Sequence, residues 1–125
     1  MAREIKFRAQ TDDGKWVVGD LHLLNAVPSI QTDANTDHTY HVDVKTIGMF
    51  TGLKYFDGPD DTDGTEIYEG DIVRIYRMAN KYNVISAVEY NSGSFQVKDM
   101  WPLSKYASTC EVIGNIYDNP ELLNK

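Results

Sequence analysis

Apolar and polar residues alternate along most of this chain, and helical spacing is nearly absent. Ile5, Phe7 and Ala9 point one way while Glu4, Lys6 and Arg8 point the other, which predicts a half-buried strand. Asp12-Asp13-Gly14-Lys15 is a turn signal, and the extended pattern resumes from Trp16 to Leu24, so the two segments predict a hairpin. From Asn25 to Thr39 the composition turns polar, with Pro28, Ser29, Asp33, Asn35 and Asp37. We expect a mobile loop there, of a length that is uncommon unless it serves a function. Tyr40, Val42 and Val44 then alternate with His41, Asp43 and Lys45, predicting a strand that runs on towards Met49 and Phe50. Gly48 marks a bulge or a close approach within it.

The run Asp57-Gly58-Pro59-Asp60-Asp61-Thr62-Asp63-Gly64 interrupts this pattern and is the candidate boundary between two β lobes, 1–56 and 57–125. The two may share one core. Strand signal is denser beyond it: Glu66 to Tyr68, Ile72 to Arg77, Tyr82 to Tyr90, Ser94 to Lys98 and Cys110 to Ile116. Asn91-Ser92-Gly93 reads as a tight turn, with Phe95 and Val97 inward after it. Asn119-Pro120-Glu121 carries the cap, first-turn proline and first-turn acid of a short C-terminal helical turn. The expected class is all-β, with the strands of the second half forming a small closed or partly open barrel. Closure removes the edges that such strands otherwise present.

Composition narrows the possibilities. At 125 residues the chain suits one domain, which hides about two-thirds of its unfolded surface without needing staples. The charge is 12 − 19 = −7, which repels phosphate backbones at long range. Much of that acidity is local, however: Asp57, Asp60, Asp61, Asp63, Glu66, Glu69 and Asp71 lie in or beside the central excursion. A basic face elsewhere is therefore still compatible with the net charge. Cys110 is the single cysteine, so no intrachain disulfide forms, and we read it as a small buried strand residue. Charges break up the first residues before an apolar core develops, and no apolar stretch approaches the roughly 18 residues of a membrane span. The expectation is a cytoplasmic protein without membrane association.

Two blocks at the centre carry a resemblance. Thr46-Ile47-Gly48-Met49-Phe50-Thr51-Gly52-Leu53-Lys54, followed by Glu66-Ile67-Tyr68-Glu69-Gly70-Asp71-Ile72-Val73, resembles the YopX family of phage and prophage proteins. The opening Arg3-Glu4-Ile5-Lys6-Phe7-Arg8-Ala9 and the closing run from Glu111 to Leu123 look like that family's two ends. The resemblance implies an SH3-like barrel in the C-terminal half, packed against an N-terminal β-hairpin lobe, and a self-associating protein of phage or prophage origin in a bacterial host. It implies no activity. The sequence departs from the family pattern in its longer loop between Lys54 and Glu66, in Gln10 and in Met49.

Among the family blocks, Thr51, Gly52, Leu53, Gly70 and Asp71 read as structural. The glycines supply backbone conformations that a side chain would penalise, and Asp71 can accept backbone N–H groups at the turn into the next strand. Their expected role is to brace the two lobes; the alternative is a ligand pocket at the same turns.

Other constellations lead to no active site. Setting Gly64 at the sixth position of a calcium loop puts Asp61 and Asp63 at the third and fifth, but Pro59 at the first and Gly70 at the twelfth. The run is read as a solvated turn. His38 and His41, beside Asp37 and Asp43, would diverge on a strand, and we expect neither metal nor cofactor there. No nucleophile elbow, Cys-His signature or phosphate-cradling glycine loop is present, so no catalytic residue is named and a small enzyme is the least favoured class.

The best local case for nucleic acid is Arg74, Tyr76, Arg77, Lys81 and Tyr82, where charge and a stacking ring share a strand face. The plainer account has Tyr76 packing and Arg74 snorkelling over the rim. The favoured expectation is a non-enzymatic interaction module, homo-oligomeric and docking a host or phage protein. Exposed strand edges and the aromatics Trp16, Trp101 and Tyr106 motivate it. A nucleic-acid binder using the 74–82 face is the alternative.

Overall fold

The structure is a computed structural model that describes residues 4–33, 38–77, 82–97, 101–106 and 110–123. It is mainly β and antiparallel, as the alternation predicts, and divides into two compact units, Met1–Phe50 and Thr51–Lys125. Among the described residues no helix is long and apolar enough to cross a membrane.

In the first unit β1 (Phe7–Gln10) pairs with β2 (Trp16–Leu24) through the Thr11–Lys15 turn, with Ala9 opposite Val17. β2 pairs with β3 (Val27–Gln31), β3 pairs with β4 (Thr39–His41), and β1 also pairs with the start of β5 (Gly48–Tyr55). The spatial order is thus β4-β3-β2-β1-β5. Ala9, Val17, Ile30 and Val42 form its buried core, with Phe7, Leu21, Tyr40 and Ile47 packed against them. Gly19 is needed where β2 and β3 approach: a Cβ there would sit 2.1 Å from the Gln31 carbonyl oxygen, a distance no real side chain tolerates.

Three sequence expectations are corrected here. The 25–39 segment, expected as a loop, contains strand β3. Its turn is made by Asn25 and Ala26, both at positive φ (53° and 67°), the two-residue geometry that an Asn-Gly pair would have announced. Pro28 is tolerated in β3 because it faces Leu23 one position beyond the pair that flanks the turn, where the hairpin ladder needs no N–H from it. The strand expected through Val44 stops at His41. Asp43 instead caps a 3-10 turn, Val44–Thr46, by accepting the Lys45 N–H at 3.0 Å, and Val44 is left 63% exposed. Ile5 precedes β1 rather than joining its inward row and is exposed.

The second unit contains the rest of β5, then β6 (Thr65–Tyr68), β7 (Asp71–Arg77), β8 (Tyr82–Ala87), β9 (Glu89–Asn91), β10 (Ser94–Val97), β11 (Trp101–Pro102), a one-turn helix α1 (Leu103–Tyr106) and β12 (Cys110–Asn115). β5 neighbours β6, while β12-β7-β8 and β11-β10-β9 form two three-stranded sheets. A bulge between Val112 and Gly114 shifts the β12–β7 register. Ser92 and Gly93, both at positive φ, close the β9–β10 hairpin where the Asn-Ser-Gly signal placed a turn.

Ile67, Val73, Ile75, Val84, Val88, Val97, Leu103 and Cys110 make one buried cluster. The 57–64 excursion is the β5–β6 connection. Asp61 organises it, accepting the Asp57 N–H at 2.9 Å and the Gly64 N–H at 3.0 Å. The expected C-terminal turn is a 3-10 turn, Pro120–Leu123, with the Leu122 N–H donating to the Asn119 carbonyl at 3.1 Å.

Candidate interaction site

Of the family-like turn residues, Gly70 lines a recess in the second unit. Gly70 (φ 92°) donates its N–H to the Val88 carbonyl at 2.9 Å and accepts the Ile116 N–H at 2.9 Å. It therefore ties the β6–β7 turn to the end of β8 and to the segment after β12. Val88 in turn donates to the Asp71 carbonyl at 2.8 Å. With Val88 bonded to this turn, the extended run from Tyr82 breaks into β8 and β9, and Tyr90 emerges 56% exposed instead of joining the inward face. The side chain of Tyr117 closes over Gly70, where an added Cβ would stand 3.2 Å from the ring.

The result is a recess of about 390 Å³. Its apolar surface comes from Ala87, Val88, Ile116, Leu123 and the rings of Tyr90 and Tyr117. Among the described residues, its charged lining residues are Glu69 and Glu89, both acidic. The Tyr90 ring rests edge-on against Phe95, with centroids 5.1 Å apart. That contact positions an exposed ring at little cost in side-chain freedom.

The remaining family-block residues are anchors. Asp71, 1% exposed, accepts the Tyr68 N–H at 2.7 Å and so fixes the turn into β7. Thr51 donates to the Ile67 carbonyl at 2.7 Å and accepts the Leu53 N–H at 3.2 Å, while Gly52 takes φ 84° between them. All of these bonds lie within the second unit.

The 74–82 face is partly placed. Arg74 on β7 forms an ion pair with Glu111 across on β12, its register partner, and both are exposed. Tyr76, Arg77 and Tyr82 are placed by backbone on β7 and β8, with Arg77 opposite Tyr82; their side chains, that of Trp101, and Lys81 as a whole lie outside the described residues. His38 contacts Asp33 through Nδ1 at 2.7 Å, and His41 is exposed on β4. Cys110 is fully buried, and burial, with the charge of Asp71 adding to it, pushes its thiol up to about 12. Such a thiol supplies almost no thiolate near neutral pH. Tyr106 packs against the second core and Trp16 lies under the Arg8 guanidinium at 4.9 Å, so neither aromatic is a free anchor.

Glu89, Tyr90 and Tyr117 were not singled out from the sequence. They converge through the β8–β9 break and the chain's return after β12, which pair residues far apart in sequence. The one local signal was Tyr117, inside the closing family-like block.

A crystal structure of protein EF1440 from Enterococcus faecalis shares this fold, with a TM-score of 0.57 and 24% identity over 98% of this chain and 99% of that one. No curated protein matches the chain. The family profile described as YopX protein matches residues 6–124. That span takes in the central blocks, the closing run and the opening block from Lys6 onward, and the chain belongs to the YopX family.

Proposed function

We propose that this protein is a non-enzymatic interaction module that self-associates through its first unit and docks a protein partner. One observation carries the self-association. The apolar face of the β2–β3 hairpin continues past the core: Leu21 faces buried Ile30, but the next pair on that face, Leu23 and Pro28, leaves Leu23 69% exposed. On the opposite face Leu24 and Val27 are paired and both exposed. Singly exposed leucines are ordinary, but a hairpin end apolar on both faces is a typical mark of an interaction surface. Its self-complementary chemistry suits a second copy of the chain.

Membership of the YopX family supports a phage- or prophage-encoded, cytoplasmic setting. The shared core beneath the second unit's antiparallel strands supports an SH3-like barrel there. The fully buried thiol of Cys110 supports a non-enzymatic role, and the Arg74–Glu111 pair takes up a cation on which the nucleic-acid reading depended.

Light scattering on a size-exclusion column tests the reading. The wild type should show a mass that rises with concentration towards a dimer or higher species. Leu23→Asp with Leu24→Asp should give a monomer with an unchanged β-type circular dichroism spectrum. A wild-type monomer at every concentration removes self-association.

A further inference from the structure

The exposed tip of the β9–β10 hairpin carries chemistry of its own. β9 is exposed along its whole length, and the exposure continues through Ser92, Gly93 and Ser94. Asn91 pairs with Ser94 across a two-residue turn in which Ser92 and Gly93 take positive φ (53° and 84°). The ladder of such a hairpin joins the main-chain groups of Asn91 and Ser94 and does not use the Ser92 N–H. That nitrogen follows the Asn91 carboxamide directly, so its attack on Asn91 Cγ closes a five-membered ring.

The carboxamide is activated where it stands. The Ser92 hydroxyl donates to Asn91 Oδ1 at 3.3 Å, which draws electrons from Cγ and stabilises the negative charge that develops on that oxygen during attack. Ring closure needs the Asn91–Ser92 main chain to rotate out of the extended form, and a short, exposed strand end opens at low cost. Gln96 opposes that opening: its Nε2 donates to the Asn91 carbonyl at 3.0 Å and to Ser94 Oγ at 3.1 Å.

The other asparagines among the described residues are less suited. Asn119 precedes Pro120, which has no N–H to attack with. Asn83 and Asn115 precede the β-branched Val84 and Ile116, whose side chains crowd the nucleophile. Asn115 Oδ1 also accepts the Tyr117 and Asp118 N–H groups, at 3.0 Å and 2.9 Å, which holds that carboxamide in place. Asn25, at the other two-residue turn, precedes Ala26, which brings no hydroxyl to the carboxamide.

We propose that Asn91 is a site of spontaneous deamidation, a modification that rebuilds the β9–β10 turn without an enzyme. The Ser92 nitrogen bonds to Asn91 Cγ, the Cγ–Nδ2 bond breaks, and Nδ2 leaves as ammonia with the proton that the Ser92 nitrogen gives up. Water then opens the cyclic imide. Breaking the new Cγ–N bond leaves aspartate; breaking the original main-chain bond leaves isoaspartate, with the chain running through Cβ and Cγ. Either product adds a negative charge, and isoaspartate also lengthens the main chain by one carbon, which displaces the pairing of residue 91 with Ser94. The site lies in the second unit, so this chemistry and self-association through the β2–β3 hairpin fail separately.

The test is peptide mapping by mass spectrometry of the folded chain, held at slightly alkaline pH with gentle warming for several weeks, with aspartate and isoaspartate peptides separated by chromatography. Asn91 should deamidate faster than Asn25, Asn83, Asn115 and Asn119 and give both products. Ser92→Ala should slow it about threefold through loss of the hydroxyl, with circular dichroism unchanged. Gln96→Ala, which releases the turn, should speed it about threefold. Asn91→Gln should remove the modification, because its longer side chain no longer forms the five-membered ring.

An unreactive Asn91 in the folded chain overturns the proposal, and reaction of the same chain in urea would then show that the turn protects the residue. Faster loss at Asn25 or Asn115 overturns it as well, as does a rate at Asn91 that neither Ser92→Ala nor Gln96→Ala alters.

Discussion

The second unit buries Ile67, Val73, Ile75, Val84, Val88, Val97, Leu103 and Cys110 in one cluster, whereas the first buries Ala9, Val17, Ile30 and Val42. The polar anchors do not differ in burial: Thr46 in the first unit is 5% exposed, beside 6% for Thr51 and 1% for Asp71 in the second. Asp71 and Thr51 are buried and bond main-chain groups of β6 directly. In the first unit Thr46 does comparable work at one strand end, accepting the Gln10 N–H at 2.8 Å and donating to the Asp43 carbonyl at 2.7 Å. The contrast suggests a division of labour. The second unit carries the larger buried cluster and a recess, while the first carries a thin core whose apolar face runs out into solvent at Leu23. A thin core that leaves apolar surface uncovered gains from association with another chain.

The strongest test of that contrast is matched truncation of two fully buried isoleucines. Ile75→Ala, at the centre of the β12-β7-β8 sheet, should cost about 4 kcal/mol in urea unfolding, because packed neighbours surround the cavity and cannot collapse into it. Ile30→Ala should cost about 2 kcal/mol, near the lower end for such changes, since a smaller cluster can relax around the gap. Equal losses would break the comparison.

A smaller difference should separate the polar anchors. Asp71→Ala leaves the buried Tyr68 N–H without its 2.7 Å acceptor and should cost about 2 kcal/mol, as a stranded buried donor does. Asp71→Asn keeps an acceptor oxygen and should recover more than half of that. Thr46→Val, which removes a neutral acceptor from the half-buried Gln10 N–H, should cost about 1 kcal/mol. Hydrogen exchange should report the losses locally, at Tyr68 in one unit and Gln10 in the other.

How far these features were legible in the sequence depends on how local their causes are. The β1–β2 hairpin was readable because alternation and Asp-Asp-Gly-Lys agree, and the β9–β10 hairpin because Asn-Ser-Gly is a strong turn signal. β3 was hidden because Ala26 adopts positive φ without being glycine and because Pro28 argues against a strand until its register is known. The break at Asp43 was hidden because an alternating run outweighed a single capping carboxylate. α1 is one turn and too short to leave a period. At the candidate site Gly70 and Asp71 were readable as turn residues from the Glu-Gly-Asp run itself, and the Asp71 carboxylate bonds the Tyr68 N–H three positions away, whereas Gly70's bonds to Val88 and Ile116 were not legible. The recess was not, because Glu69, Tyr90 and Tyr117 meet only through strand pairings across the unit. The Arg74–Glu111 pair likewise required the β7–β12 register.

The smallest expected effect compares the acidic turns of the two units, where no core intervenes. Asp61 is held below the usual aspartate value of 3.8 chiefly by the Asp57 N–H and then by the Gly64 N–H. Asp13 is lowered mainly by the Thr11 hydroxyl, an exposed side-chain partner. In both cases the folded carboxyl is the stronger acid, so each contribution is fully present above pH 3.8 and is lost as pH falls through the depressed folded value. The consequences should still differ. Protonating Asp61 weakens bonds that close the main chain of the 57–64 turn, so acid should loosen that turn, and Asp61→Ala should do the same at neutral pH. The Thr11–Lys15 turn retains its own backbone bonds, Thr11 N–H to Lys15 C=O and Gly14 N–H to Thr11 C=O, both 2.9 Å, so Asp13→Ala should leave it closed. Amide chemical shifts at Asp57 and Gly64, followed from pH 6 to pH 2 beside those at Thr11 and Gly14, should move far more in the wild type and should be pH-insensitive in Asp61→Ala. Shifts of equal size in both turns would show that an acidic side chain organises each of them alike.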